Sequence, residues 1–154
     1  MPVTFCSGDL FLSGAQTLAH GCNCRGAMGA GIAVGFKERF PQMYQRYKHK
    51  CIFGEFQPGD AYVDKECEPW VLNLATQWAF GGAKLDFIRQ AFQWIADHYK
   101  EEEITSIAMP RIGAGYGKLD WQSIKKLVID ILHPLPIPIY VYGEFVAGVK
   151  GDWE

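Results

Sequence analysis

His20-Gly21-Cys22-Asn23-Cys24-Arg25-Gly26-Ala27-Met28-Gly29-Ala30-Gly31-Ile32-Ala33 is the stretch that decides the fold. The apolar run Thr17-Leu18-Ala19 feeds into it and reads as the end of a strand. Ile32, Phe36 and Phe40 leave it at helical spacing, which predicts a helix over about 29–39. Between them lie Gly21, Gly26, Gly29 and Gly31. A glycine-rich turn between a strand and a helix can offer bare backbone N–H groups to an anion. The stretch does not match GxxxxGK[ST], nor GxGxxG in its proper context, so neither an ATP P-loop nor a Rossmann site is read here.

Outward from this turn the chain alternates strands and helices. Val3–Cys6 is a short β-prone run ended by Ser7-Gly8-Asp9, and Gln16–His20 is the strand before the turn. Pro41 ends the first helix and opens a second, to about Lys50. Ala61–Asp64 and the nearly continuous apolar run Trp70–Thr76 read as strands, the latter buried on both faces. Leu85, Ile88, Ala91, Phe92, Ile95 and Tyr99 mark the clearest helix. Ile104–Met109 is a further buried strand. Asp120 caps a helix whose inner face carries Trp121, Ile124, Leu127, Val128 and Ile131. Pro134, Pro136 and Pro138 lead into a last strand, Ile139–Tyr142, and residues 143–154 show no clear periodicity. With no repeat and no linker, the pattern predicts one α/β domain over 1–154, a mixed sheet with helices on both faces.

The composition agrees. A 154-residue chain with 49% hydrophobic and 21% charged residues can bury its own core. A net charge of −2 leaves no broad basic footprint for nucleic acid. No run approaches the roughly 20 apolar residues of a membrane span, and the first residues lack the pattern of a signal peptide. The expectation is a cytoplasmic or otherwise intracellular protein without membrane partners. Five cysteines, an odd number, do not close a disulfide framework, and Cys22-Asn23-Cys24 has no zinc spacing. No metal and no cofactor are expected; the thiols read as reduced and partly buried, with Cys22 or Cys24 as a residual nucleophile.

In α/β sheets ligands sit beyond the carboxyl ends of strands. Asp9, the His20–Gly31 loop, the Gln77–Ala83 loop and the Arg111–Gly117 loop all follow predicted strands, so four loops should gather on one edge. Two glycine-rich loops there can clamp a diphosphate without net positive charge. Taken alone, Asp9 reads first as an acceptor for its own turn, and His20 as a structural residue at a strand end.

Gly8-Asp9-Leu10-Phe11, Ala19-His20-Gly21-Cys22-Asn23-Cys24, Met28-Gly29-Ala30-Gly31-Ile32-Ala33 and Met109-Pro110-Arg111-Ile112-Gly113-Ala114-Gly115, in this order, resemble the macrodomain family. The resemblance runs from about Val3 to Tyr142. It is closest to macrodomains that remove terminal ADP-ribose from protein carboxylates or DNA bases, and to yeast-type ADP-ribose-1″-phosphate phosphatases. It implies a three-layer α/β/α fold and ADP-ribose or ADP-ribose-1″-phosphate as ligand, with ADP-ribosylated protein or DNA as partner. Asp9 would accept from the adenine amine with Leu10 beside the base. Asn23 would bind the distal ribose. Gly29, Ala30, Gly31 and Ile32 would cradle ribose and diphosphate, and Gly113, Ala114, Gly115, Tyr116 and Gly117 would close from the other side.

One branch uses a lysine nucleophile after the residue that stands here as Thr76, and an aspartate at the position of Gly117. This chain has Gln77 and Gly117 there, and neither can supply that chemistry. The expectation is therefore that His20 acts as general acid–base, Asn23 orients the ribose and water attacks C1″ or a 1″-phosphate. The alternative is a reader that binds ADP-ribose without turnover. Trp78 and Phe80 sit where they could flank the distal ribose, and packing under their loop is the expectation.

Overall fold

The computed structural model describes residues 3–79, 81–115 and 118–153. Its strands are β1 (Val3–Gly8), β2 (Thr17–Cys22), β3 (Ala61–Asp64), β4 (Trp70–Ala75), β5 (Ile107–Pro110), β6 (Ile139–Phe145) and β7 (Asp152–Trp153). The helices are α1 (Ala33–Arg39), α2 (Pro41–Ile52), α3 (Leu85–His98) and α4 (Trp121–Leu127), the last continuing into a wider turn over Val128–Leu132. All seven strands join one sheet in the order β3-β4-β2-β5-β6-β1-β7. β1, β2, β4, β5 and β6 run parallel, while β3 and β7 run antiparallel to their neighbours, so the sheet is mixed as expected.

Side chains alternate across a strand, and the two faces of this sheet carry separate cores. On one face Ala19, Leu72, Leu74, Ile107, Met109, Ile139 and Val141 pack with Ile88, Phe92 and Ile95 of α3 and Ile124 of α4. On the other, Leu18, Cys22, Val71, Ala75 and Ala108 pack with Phe36 of α1 and Met43, Tyr44 and Tyr47 of α2. That is the three-layer α/β/α arrangement.

Several element boundaries differ from the sequence reading, among them the start of β5, at Ile107 rather than Ile104. The first helix starts at Ala33 rather than near Gly29, because Gly31 takes φ +61, a left-handed value that cannot continue a right-handed helix. The Gly29–Ile32 backbone thus stays a turn. The last helix loses its 3.6-residue repeat after Leu127. Residues beyond Tyr142, without periodicity of their own, extend β6 to Phe145 and return as β7 on the far side of β1. A two-residue strand gives no pattern to find.

Asp64 is where α2 is pinned to the sheet. Its carboxylate accepts from Arg46 Nε at 2.6 Å and Nη2 at 3.0 Å, and from the Tyr62 hydroxyl at 2.7 Å. Those donors hold it below the usual carboxylate range despite its burial. Arg46 is therefore spent on a buried partner.

Gly113 shows how tightly the loop after β5 sits on the helices. It takes φ +83, and a Cβ there would lie 2.6 Å from Ile88 Cδ1. Gly113→Ala should cost about 2–3 kcal/mol, from left-handed backbone strain plus overpacking. Urea denaturation of the two proteins measures it.

Candidate functional site

Because five strands are parallel, the segments after β1, β2, β4 and β5 emerge on one edge, as the pattern predicted. Backbone hydrogen bonds then tie them together. Thr76 N donates to Cys22 O at 3.1 Å, Cys24 N to Trp78 O at 3.3 Å and Lys84 N to Thr76 O at 3.0 Å. The loops after β2 and β4 and the start of α3 are thus one connected rim. Gly21 belongs to the same junction: a Cβ there would meet Thr76 Oγ1 at 2.9 Å and Ile112 Cγ2 at 3.2 Å.

The turn after β2 is built on the Asn23 carboxamide. Its Oδ1 accepts from Arg25 N at 3.1 Å, Ala27 N at 3.3 Å and the Tyr47 hydroxyl at 2.8 Å. Its Nδ2 donates to Ala27 O at 2.9 Å. The Tyr44 hydroxyl, also from α2, donates to Gly26 O at 3.0 Å. Asn23 is 8% exposed. Its oxygen is committed to the loop, so any contact with a ribose has to come from the remaining Nδ2 hydrogen. Tyr44 and Tyr47, which brace this turn, were missed by the sequence reading; their only signal was an i, i+3 spacing on α2.

Beyond this knot Gly29, Ala30 and Gly31 are exposed, and nothing lies within 4 Å of where a Gly29 Cβ would stand. Across the edge, Gly115 is likewise open, with Gly113 and Ala114 half-buried beside it. The expected cradle residues Gly29, Ala30, Gly31 and Ile32 and the closing residues Gly113, Ala114 and Gly115 therefore lie on the same sheet edge. Tyr116 and Gly117 lie outside the described residues. A cavity of about 420 Å³ reaches this turn from its outer side, lined by Met28, Gly29, Val34, Lys37, Pro41 and Tyr44. It is a hollow against α1 and α2, not the space between the two loops.

Asp9 stands at the end of β1 and is 3% exposed. Its Oδ1 accepts from Phe11 N at 2.9 Å, which caps the turn Leu10–Leu12, and its Oδ2 accepts from Gly148 N at 3.0 Å. Leu10 is fully buried, so it supports the turn from beneath and offers no surface to a base. Phe11 and the half-exposed Phe145 meet edge to face nearby, with centroids 6.3 Å apart. Phe145 was not singled out in the sequence.

His20 requires a correction. It points into the α1/α2 face of the sheet, has no exposed surface and stacks on Phe36 with centroids 3.9 Å apart. Its Nε2 bonds Asn73 Oδ1 at 2.7 Å across the β2–β4 register, and Cys22 Sγ lies 3.4 Å from the same nitrogen. Burial lowers its pKa to about 4, against a smaller raising effect of the Asn73 bond. A neutral imidazole closed in on every side cannot exchange a proton with a substrate on the sheet edge, so the general acid–base role does not fit. His20 is the structural residue at a strand end that its position alone suggested.

Cys22 and Cys24 are likewise poor nucleophiles. Burial raises the Cys22 thiol well above its ordinary value and pushes Cys24 up to about 12, with neighbouring Cys51 adding to both. No disulfide joins any of the five cysteines. Trp78 is also corrected: it is 49% exposed on the rim rather than packed under its loop. Phe80 lies outside the described residues. Gln77 is half-buried and its backbone bridges Ala83, closing the loop that follows β4. Among the described residues no group of three or more His, Cys, Asp or Glu could hold a metal ion. No described helix is long and apolar enough to cross a membrane.

The family profile described as Macro domain matches residues 19–128. This chain belongs to the macrodomain family. A DNA ADP-ribosyl glycohydrolase of Mycobacterium tuberculosis is 31% identical over 97% of the chain. The chain spans about half the length of that relative, 46%. An ADP-ribose 1″-phosphate phosphatase of Meyerozyma guilliermondii is 29% identical, covering 90% of the chain and 98% of the relative. Among solved structures, Thermosipho africanus DarTG in complex with ADP-ribose superposes with a TM-score of 0.88 at 29% identity, over 96% of this macrodomain and 42% of that chain.

Proposed function

We propose that this macrodomain binds ADP-ribose on the sheet edge and hydrolyses ADP-ribose derivatives at the distal ribose. The observation that carries the reading is the junction of Asp9, the Asn23-built turn and the loop after β5 on one edge, with open space over Gly29 and Gly115. Asp9 would take the adenine amine at one end. The backbone of 29–32 and 113–115 would hold the diphosphate between, and Asn23 would face the distal ribose. Relatives named for action on ADP-ribosylated DNA and on ADP-ribose-1″-phosphate support a scissile bond at that ribose.

Catalysis on this reading is positional and electrostatic. Backbone N–H groups fixed by the rim hydrogen bonds meet phosphate charge without reorganising, and the ribose is held for attack by water. Gln77 stands where the lysine-dependent branch has its nucleophile and forms no Schiff base. His20 is closed off below. These two facts favour a second reading, a module that binds ADP-ribose and does not turn it over.

The test is a turnover panel of ADP-ribose-1″-phosphate, an ADP-ribosylated oligonucleotide and an ADP-ribosylated protein carboxylate, beside an ADP-ribose titration. Release of ADP-ribose from any one substrate, abolished by Asp9→Ala at low substrate, is the expected result. Saturable binding with no turnover selects the reader. Absence of binding to ADP-ribose defeats both.

A further inference from the structure

Residues 146–151 lie on the Gly8–Asp9 turn and touch the carboxylate that the proposed function assigns to adenine. Val146 N donates to Gly8 O at 2.9 Å, and Asp9 N donates to Val149 O at 2.7 Å. Gly148 N donates to Asp9 Oδ2 at 3.0 Å. Between them the tail makes its own turn, Val149 N to Val146 O at 3.2 Å, with Gly148 at φ +76. β7 then pairs with Cys6 and Ser7 of β1, so the tail is anchored on both sides of this turn. The fit explains Gly8 too. A Cβ there would lie 2.7 Å from Val149 O and 2.9 Å from Gly151 Cα, so only glycine leaves a seat for the tail.

We propose that Gly148 is a positioning residue for base recognition: its N–H aims the Asp9 carboxylate at the amine of adenine. This deepens the proposed function and rests on its placement of adenine at Asp9. Phe11 N–H holds Oδ1 and Gly148 N–H holds Oδ2, which leaves the carboxylate no rotation. Each oxygen still has a second lone pair for an exocyclic amine. An aspartate without the Gly148 donor can turn about its side-chain bonds and meets amine or water alike. Fixing it before the ligand arrives removes that ordering cost. The selective consequence is discrimination between a 6-amino and a 6-oxo purine, since a carboxylate accepts from the first and repels the carbonyl of the second.

The test compares ADP-ribose with its hypoxanthine analogue by calorimetry, in the wild-type chain, in Gly148→Pro and in a chain ending after Phe145. Proline removes the N–H and holds φ near −65°. The wild type should prefer ADP-ribose by about tenfold or more, as a hydrogen bond to a charged acceptor allows. In both variants that preference should fall below about threefold, with binding of the hypoxanthine analogue changed less than about twofold. Adding Asp9→Asn to Gly148→Pro should then reduce the preference no further. A purely structural role for the tail would weaken both ligands alike, and that result overturns the proposal. So does tighter ADP-ribose binding in the variants, which would make the tail a competitor. A wild type that binds both ligands equally removes Asp9 from adenine recognition, and the proposal falls with that placement. A wild type that binds neither defeats the proposed function itself.

Discussion

Between pH 7.5 and pH 5 the protein should lose about 2 kcal/mol of folding stability through His20 alone. The unfolded ring, with its ordinary value of 6.5, takes up a proton as pH falls through that point. The folded ring, at about 4, refuses it. The unfolded state thus binds more protons across this window, so the contribution is intact above pH 6.5 and is lost progressively as pH falls toward 4. Urea denaturation at several pH values measures it. His20→Gln keeps a donor toward Asn73 and cannot titrate, so its stability profile should be flatter by that amount. Parallel profiles would mean that the imidazole reaches solvent and would reopen a catalytic role for it.

Gly29→Val should leave the melting temperature within a few degrees of wild type and lower ADP-ribose affinity about a hundredfold, equivalent to about 2.7 kcal/mol. The structural half follows from the open space around the Cβ position and from a backbone that is not left-handed. The binding half follows because the proposed function puts ribose and diphosphate in that space. Calorimetry beside a thermal melt separates the two. A variant that binds normally would move the ligand away from this turn.

The layers, the mixed sheet and the sheet edge were legible because they rest on strong periodic signals. Trp70–Thr76 reads as buried strand and Leu85–Tyr99 as amphipathic helix from residue type alone. The glycine motifs marked the loops correctly, since a left-handed φ at Gly31 and Gly113 excludes most other residues. Side-chain depth was not legible. His20 closes the predicted strand in a pattern that also suits a surface acid–base, and only the packing of Phe36 and the register opposite Asn73 show that it is core. Asn23 looked like a ligand contact, yet the hydroxyl of Tyr47, from 24 residues away, ties its oxygen into the loop. The tail was opaque because its contacts are backbone hydrogen bonds to Gly8 and Asp9, made by residues with no pattern to read.

The central claim is that this edge binds ADP-ribose with Asp9 at the base. A calorimetric titration of the wild-type chain and of Asp9→Ala tests it most directly. The wild type should show one saturable site per chain, lost or severely weakened in the variant. No heat of binding at millimolar ADP-ribose, or the same isotherm for both proteins, would contradict it.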